Sequence, residues 1–328
     1  MDGYINLWKP KGMTSFDVVR KVRHAVRVKR VGHGGTLDPL AEGVLPLFIG
    51  RATRLVEYLG SGAKAYRAAV RLGMTTDTLD REGEVLEERD PSGVSRRGVE
   101  AVLPSFVGTI QQTPPMYSAL KHEGERLHRM ARRGVTVERP SREIVVHTID
   151  LTDWTPPTFT LDVVCEGGTY IRTIVADIGD RLGCGAVLDG LIRSQVGPFL
   201  GDQAVSLRAI LEFEGPFHES GAAPHPDWWL PLSLPFQGWR SLRLNENGLQ
   251  AALTGRVLDD ASGEWGELPG DPDPPFIPSA PEDLAVALTP KGEFAAILET
   301  KSEGRGLWRP RKVLIDRNPG ASPPIVAD

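Results

Sequence analysis

The sequence predicts an α+β protein, a mixed or largely antiparallel sheet flanked by helices, followed by a small β-rich unit. Three observations carry this. Alternating polar and apolar stretches at 64–73, 144–151 and 158–165 are interspersed with helical patterns, without a βαβ repeat. A stretch rich in Pro, His and Trp, at 215–236, interrupts the chain. Beyond it come only short strand-like pieces separated by turn residues.

Taken in order, 15–27 is a helix, with Ser15 as N-cap and Val18, Val19, Val22, Ala25 and Val26 on one face. The alternating 64–73 stretch ends in Gly and is a strand. A short helix follows over 99–107, poorly suited to Pro104. The segment 113–140 begins Thr113-Pro114-Pro115, carries a charged helix over about 125–133 and stops at Gly134, which marks it as an exposed, mobile excursion. Strands at 144–151 and 158–165 flank a Thr-Pro-Pro turn. The 168–182 stretch enters as a strand or turn and continues as an amphipathic helix. Later strands are expected at 242–244, 256–258, 283–288, 294–298 and 312–315, with 259–282 an acidic Pro/Gly-rich surface loop. This divides the chain into domains 1–236 and 237–316 and a tail at 317–328.

The 328 residues suffice for two domains, and 40% hydrophobic with 25% charged residues is ordinary globular composition. No apolar run approaches a membrane span, and the N-terminus lacks the basic and apolar blocks of a secretory signal. Cys165 and Cys184 form neither a disulfide framework nor a CxxC knuckle, so reduced thiols in a cytoplasmic protein are expected. The net charge of −5 argues against nucleic-acid binding, but its distribution does not. Residues 1–35 hold eight basic against two acidic side chains, and 111–140 hold six against three, whereas 141–219 hold five against twelve. Lys9, Lys11, Arg20, Arg23, Lys29, Arg30, Lys121 and Arg132 in these basic segments are candidate phosphate contacts. The alternative is a set of solvated helix faces.

Chemistry concentrates in 31–46, where Gly32, Gly34 and Gly35 surround His33 and Asp38 follows in Leu37-Asp38-Pro39. Glycines permit close approach of a ligand, and Pro39 biases Asp38 away from helix. Such a loop can present a carboxylate and an imidazole; equally, it can be a Gly-rich turn capped by Asp38. It lacks the Gly-Lys-Ser/Thr of a P-loop and the G-x-G-x-x-G of a dinucleotide site. A lone Asp can serve as a nucleophile, and no second carboxylate stands out as its acid partner. Arg172 is a candidate ion-pair partner for Asp38, expected to hold it ionised. Tyr66 and Tyr170 are candidate stacking or hydroxyl donors. No His motif matches a zinc deaminase or protease.

Four blocks, in this order and spacing, resemble the TruB family of tRNA pseudouridine synthases. They are Asn6-Leu7-Trp8-Lys9-Pro10-Lys11-Gly12-Met13-Thr14-Ser15; the 32–46 loop with its Gly35-Thr36-Leu37-Asp38-Pro39-Leu40-Ala41-Glu42-Gly43 core; Gln112-Thr113-Pro114-Pro115-Met116-Tyr117-Ser118-Ala119-Leu120-Lys121; and Gly168-Thr169-Tyr170-Ile171-Arg172-Thr173. The resemblance covers about residues 3–200, and Ala287–Phe294 is weakly similar to a small PUA-type domain. It implies a pseudouridine synthase domain with an RNA-clamping insertion at 113–140 and a PUA-type C-terminal domain. It implies conversion of the T-loop uridine of tRNA, position 55, to pseudouridine, by a monomer with no metal and no cofactor. Asp38 matches the catalytic aspartate, Tyr66 the tyrosine that stacks on the target base, and Arg172 the arginine paired with the aspartate, accompanied by Tyr170. His33 matches the histidine that fills the space left by extruded nucleotides, and Leu191 a pocket leucine. The competing readings are an RNA-binding or RNA-folding module without turnover, and the same isomerisation on another RNA.

Overall fold

The structure, a computed structural model, describes residues 2–59, 62–214, 226–269, 281–300 and 306–315. The chain opens on strand β1 (Gly3–Lys9), buried along almost its whole length, and turns into helix α1 (Ser15–Val26). Val18, Val19, Val22 and Val26 are buried as the 3.6-residue period requires. Thr14, not Ser15, is the N-cap: its Oγ1 accepts the Asp17 amide at 3.0 Å. Ser15 is instead buried, accepting the Leu37 amide at 2.9 Å and donating to the Leu37 carbonyl at 3.0 Å. The helix start is thereby tied to the residue before Asp38.

Strands β2 (Val31–His33) and β3 (Ala41–Ile49) bracket the Gly-rich loop. Then come β4 (Lys64–Leu72), the small hairpin β5 (Met74–Thr76) and β6 (Val85–Glu88), helix α2 (Arg96–Val102) and β7 (Gly108–Gln112). The helix expected at 99–107 starts and ends earlier, because Ser95 caps it and Pro104 opens a separate 3-10 turn, Leu103–Phe106. Within the insertion, the helix expected over 125–133 is only α3 (Leu127–Ala131). The residues before it form a hairpin, β8 (Lys121–His122) with β9 (Glu125–Arg126), because Glu123 and Gly124 both adopt positive φ and turn the chain. The long antiparallel pair β10 (Arg142–Thr155) and β11 (Thr158–Cys165) flanks the Thr-Pro-Pro turn. Helix α4 (Ile171–Arg181) and strand β12 (Ala186–Val196) follow, then β13 (Phe199–Leu200), β14 (Val205–Ser206), α5 (Leu207–Leu211) and β15 (Trp229–Leu230).

These strands build one mixed sheet in the order β14-β1-β3-β12-β4-β11-β10-β7, parallel only at β14/β1 and β3/β12. Central strand β4 explains the arrangement. Its alternate residues Tyr66, Ala68, Val70 and Leu72 are buried with Leu161 and Val163 of β11, Leu191 of β12 and Ile171, Ile174, Val175 and Ile178 of α4. Sheet register sets Tyr66 opposite Val163 on one side and Arg193 on the other.

Three strands meet closely at Gly43, which pairs with Lys9 of β1 and Arg193 of β12. Gly43 has φ +114, and a Cβ there would strike the Arg193 backbone carbonyl. Gly43→Ala is therefore expected to lower the unfolding free energy by about 3 kcal/mol or more, measured by urea denaturation.

The remaining described chain forms a second sheet, β17-β16-β18-β19-β20, from β16 (Arg240–Leu244), β17 (Gly263–Glu267), β18 (Leu284–Leu288), β19 (Phe294–Thr300) and β20 (Trp308–Val313), with helix α6 (Glu246–Leu253) after β16. Two expectations are corrected. The 256–258 strand is a single bridge, Leu258 with Trp308. The 259–282 loop contains the 3-10 turn Asp260–Ser262 and strand β17, whose Trp265 packs 5.2 Å from the Trp308 ring and under Arg240. The remainder of that loop at 270–280, the expected boundary stretch at 215–225 and the 317–328 tail lie outside the described residues. The two sheets share a core: Phe48, Leu55 and Phe199 pack in one cluster with Phe236, Val286, Phe294 and Ile297. Among the described residues no helix is long and apolar enough to cross a membrane.

Candidate active site

The Gly-rich loop runs between β2 and β3 and is pinned at several points. The Gly12 amide donates to the Pro39 carbonyl at 2.8 Å, Ser15 bridges Leu37, and the Gly34 amide donates to the Pro46 carbonyl at 2.9 Å. Arg193, fully buried, crosses beneath the loop; its Nε donates to the Val44 carbonyl at 2.8 Å and its Nη2 to the Gly35 carbonyl at 3.1 Å. A rigid frame therefore sets the Asp38 carboxylate.

Asp38 meets Arg172, the second residue of α4. Arg172 Nε lies 3.0 Å from Asp38 Oδ2, as an ion pair without hydrogen-bond alignment. The Arg172 side chain is 6% exposed, whereas Asp38 keeps 38% of its side-chain surface open. The rest of the guanidinium is committed: Nη1 donates to the Thr78 carbonyl at 2.9 Å and faces Asp80 Oδ2 at 3.4 Å, and Nη2 donates to the Tyr117 carbonyl at 2.8 Å. Its planar fork thus spans three chain segments around Asp38.

The expectation that Arg172 holds Asp38 at a low pKa is corrected. Burial pushes the Asp38 carboxyl above its ordinary value; Arg172 opposes this, Asp80 adds to it, and Lys9 and Arg193 oppose it. The carboxyl group sits in a tight, partly desolvated site with one direct cation.

The other residues singled out in the sequence divide into three groups. Tyr66 and Leu191, each 8% exposed, lie in the apolar cluster that also holds Leu37 and Leu40, the neighbours of Asp38 in sequence. They form the apolar wall of the site. His33 ends β2, and its Nδ1 accepts the Gly35 amide at 3.3 Å; burial and Arg193 push its pKa down, so the ring is neutral at pH 7 with its proton on Nε2. Tyr170 caps the start of α4, with its amide donating to Gln112 Oε1 at 2.9 Å and its ring under Arg142. Its backbone is fastened to Gln112 of β7 and its ring to Arg142 of β10, and among the described residues it makes no hydrogen bond to Asp38.

Of the basic candidates, Lys11, Arg20, Arg23, Lys29, Arg30, Lys121 and Arg132 are exposed. Lys9 is not. It is fully buried, and its Nζ donates to the carbonyls of Pro10 (2.9 Å) and Met13 (2.6 Å). Burial pushes its pKa down to about 8 against the pull of Asp38. Its place at the end of the almost wholly buried strand β1 turns a surface charge into part of the site's electrostatic frame.

Sequence reasoning missed Asp80 and Arg193. Asp80 lies 92 residues from the arginine it meets, and Asp77-Thr78-Leu79-Asp80 offers two equivalent acids. The usable signal was the turn itself: Asp80 Oδ1 accepts from the Thr78 hydroxyl at 2.7 Å and the Glu82 amide at 3.1 Å, the pattern of an Asx turn before Gly83. Arg193 was passed over beside Leu191, though an arginine inside an otherwise apolar strand already asks for buried partners. A cleft of about 550 Å³ lined by Glu100, Leu103, Pro104 and Ile149 includes neither Asp38 nor the charged residues around it.

Comparison with known proteins gives consistent matches. The family model for TruB family pseudouridylate synthase, N-terminal domain, matches residues 23–171, and that for the tRNA pseudouridylate synthase B C-terminal domain matches 172–220. The second match covers α4 to α5 and stops before the five-stranded sheet. A tRNA pseudouridine synthase B from Dehalococcoides mccartyi strain CBDB1 is 39% identical over 97% of this chain and 98% of its own. One from Synechocystis is 50% identical over 213 residues, 64% of this chain and 72% of its own. Among solved structures, a chain of a Cbf5-Nop10-Gar1 complex superposes with TM-score 0.69 at 25% identity, covering 96% of this chain and 85% of that one. A chain of an H/ACA RNP bound to a substrate RNA containing 2'-deoxyuridine shares the fold, with TM-score 0.68 at 23% identity, covering 96% and 86%.

Proposed function

The chain belongs to the TruB family of pseudouridylate synthases, and from that membership and the geometry around Asp38 we propose that it isomerises the T-loop uridine at position 55 of tRNA to pseudouridine. The observation that carries this reading is Asp38 itself. It is a partly open carboxylate on a braced loop, paired with a buried arginine, beside an apolar wall that contains Tyr66 and Leu191. A uridine within a folded loop must leave its stack before its sugar or ring carbons can be reached, and splayed bases are characteristically held on aromatic and apolar side chains. Asp38 is the catalytic group, attacking the uridine during cleavage of the glycosidic bond. The freed base turns within the pocket, held against Tyr66 and Leu191; C5 bonds to C1′, the bond from Asp38 to the substrate breaks and returns its electron pair to the carboxylate, the C5 proton leaves and N1 takes up a proton. The chemistry is an isomerisation with no net redox change.

His33, neutral and next to the loop, is the residue proposed to occupy space vacated by extruded nucleotides. The insertion at 113–140 closes over bound RNA, and Tyr170 supports it from the start of α4. Residues 1–236 make the catalytic domain and 237–316 a PUA-type domain. A monomer acting on the T stem-loop is the expected species.

Tritium release from tRNA transcript carrying [5-³H]uridine tests the proposal, with wild type beside Asp38→Asn. Release by wild type alone supports it. Absent release with intact tRNA binding favours an RNA-binding role without turnover, and release from other RNAs but not tRNA moves the substrate. The basic surface has its own test. Lys29→Ala with Arg30→Ala is expected to weaken tRNA binding and to reduce the slope of log affinity against log salt by about one to two. An unchanged slope places those charges away from phosphate.

A further inference from the structure

The insertion at 113–140 touches the site through a residue whose role the reaction as described leaves open. Tyr117 lies at its root, in Pro114-Pro115-Met116-Tyr117-Ser118, and is half-buried beside the buried Pro114, Pro115 and Ser118. Its carbonyl takes Arg172 Nη2 at 2.8 Å, and its hydroxyl donates to Asp77 Oδ2 at 2.9 Å. Asp77 is itself anchored, because its Oδ1 accepts the Glu84 amide at 2.8 Å across the β5–β6 hairpin. That hairpin's loop also supplies Thr78 and Asp80 to Arg172. Arg172 is thus braced by two bodies, the β5–β6 loop through Nη1 and the insertion through Nη2, and only then presents Nε to Asp38. The Tyr117 hydroxyl is the side-chain bond fastening the second body to the first.

We propose that Tyr117 is a positioning residue whose hydroxyl latches the insertion onto Asp77, so that Arg172 is held against Asp38 only while the insertion is seated. The inference rests on the reading of Asp38 as the reacting carboxylate. A guanidinium has fixed fork geometry, so losing the acceptor on one arm loosens its aim on the other. With the insertion lifted, Asp38 loses part of its cationic support and holds a proton more readily. The charged groups facing Asp38 are Arg172 of α4, Asp80 of the β5–β6 loop, Lys9 of β1 and Arg193 of β12. Of these, only Arg172 hydrogen-bonds to the insertion among the described residues. The latch would make seating of the insertion, which binding of an RNA loop would favour, a condition for a fully ionised, aimed nucleophile.

The test is Tyr117→Phe in the full chain, with two readouts. Carboxyl-carbon NMR titration of Asp38 in the free protein, assigned with Asp38→Asn, is expected to show its midpoint raised by about half a pH unit or more. Single-turnover tritium release at saturating tRNA is expected to slow by about 5- to 20-fold, with the tRNA dissociation constant within about twofold. Asp77→Ala, which removes the latch's acceptor from the other side, is expected to reproduce both changes, and the double variant to be no worse than the more impaired single. An unmoved Asp38 midpoint in both single variants overturns the proposal. So do additive losses in the double variant accompanied by equal losses of melting temperature and tRNA binding, which describe a merely structural contact. If Tyr117→Phe fails to fold, Asp77→Ala decides by the same criteria. Absence of tritium release from wild type would remove the proposed function, while the NMR titration would still decide whether the latch acts on Asp38.

Discussion

Asp38→Asn is expected to abolish tritium release, by at least about 10³-fold, while leaving tRNA affinity within about tenfold of wild type. The substitution is nearly isosteric, and the surroundings of Asp38 do not depend on its charge for their shape. Arg172 keeps Asp80, the Thr78 carbonyl and the Tyr117 carbonyl as partners. The loop keeps Ser15, Gly12 and Arg193. What disappears is the proposed nucleophile, whose interaction with substrate would exist only along the reaction path, so the loss is expected to fall on the transition state and not on binding. Residual activity above a few per cent would reject Asp38 as the catalytic group. The wild-type enzyme carries a second signature. Burial raises the Asp38 pKa and Arg172 only partly offsets it, so the ionised, reactive form is lost as pH falls through a value higher than that of an ordinary aspartate. The acid limb of the single-turnover rate reports that value.

Much of this site was legible in the sequence, and for local reasons. Gly34, Gly35 and Pro39 around Asp38 declare a strained, projecting loop within a dozen residues, and α1 declares itself by valine spacing. Strand β4 shows its alternation plainly because both neighbouring strands bury the same face. What escaped depends on contacts far apart in the chain. Lys9 was counted with the basic surface because charge is read by composition, whereas β1 lies second from one edge of the sheet with α1, β14, β15 and the loop packed over it. Asp80 became a site residue only when β12 and the β5–β6 hairpin brought it to Arg172. The hairpin at Glu123-Gly124 truncated an otherwise helical charge pattern through two positive-φ residues, one of them not glycine. For Lys9 and Asp80 the deciding constraint was tertiary, whereas the 125–133 helix was shortened by the backbone conformation of a local turn.

Arg172→Leu is expected to produce the largest combined loss, in stability as well as in turnover. Arg172 is almost completely buried and satisfies two carboxylates and two carbonyls at once. Leucine fills much of the volume but leaves Asp80, 8% exposed, and Asp38 facing each other without a cation, and strands the Thr78 and Tyr117 carbonyls. Breaking a buried pair from one side costs about 3–5 kcal/mol, because the orphaned charge remains in the interior. Urea denaturation should show that loss at pH 7. The deficit should narrow as pH is lowered, since protonating one carboxylate removes the repulsion that the missing guanidinium had cancelled. A pH-independent deficit would mean that the loss is one of packing alone. Arg172→Lys separates the two functions of the residue. The ammonium restores a positive charge and should recover part of the stability, yet it cannot span Asp38, the β5–β6 loop and Tyr117 with one planar fork. Single-turnover release should therefore remain at least about 100-fold below wild type even in the better-folded variant. Full recovery of rate by lysine would show that Arg172 contributes charge alone and that its three-point bracing has no part in aiming Asp38.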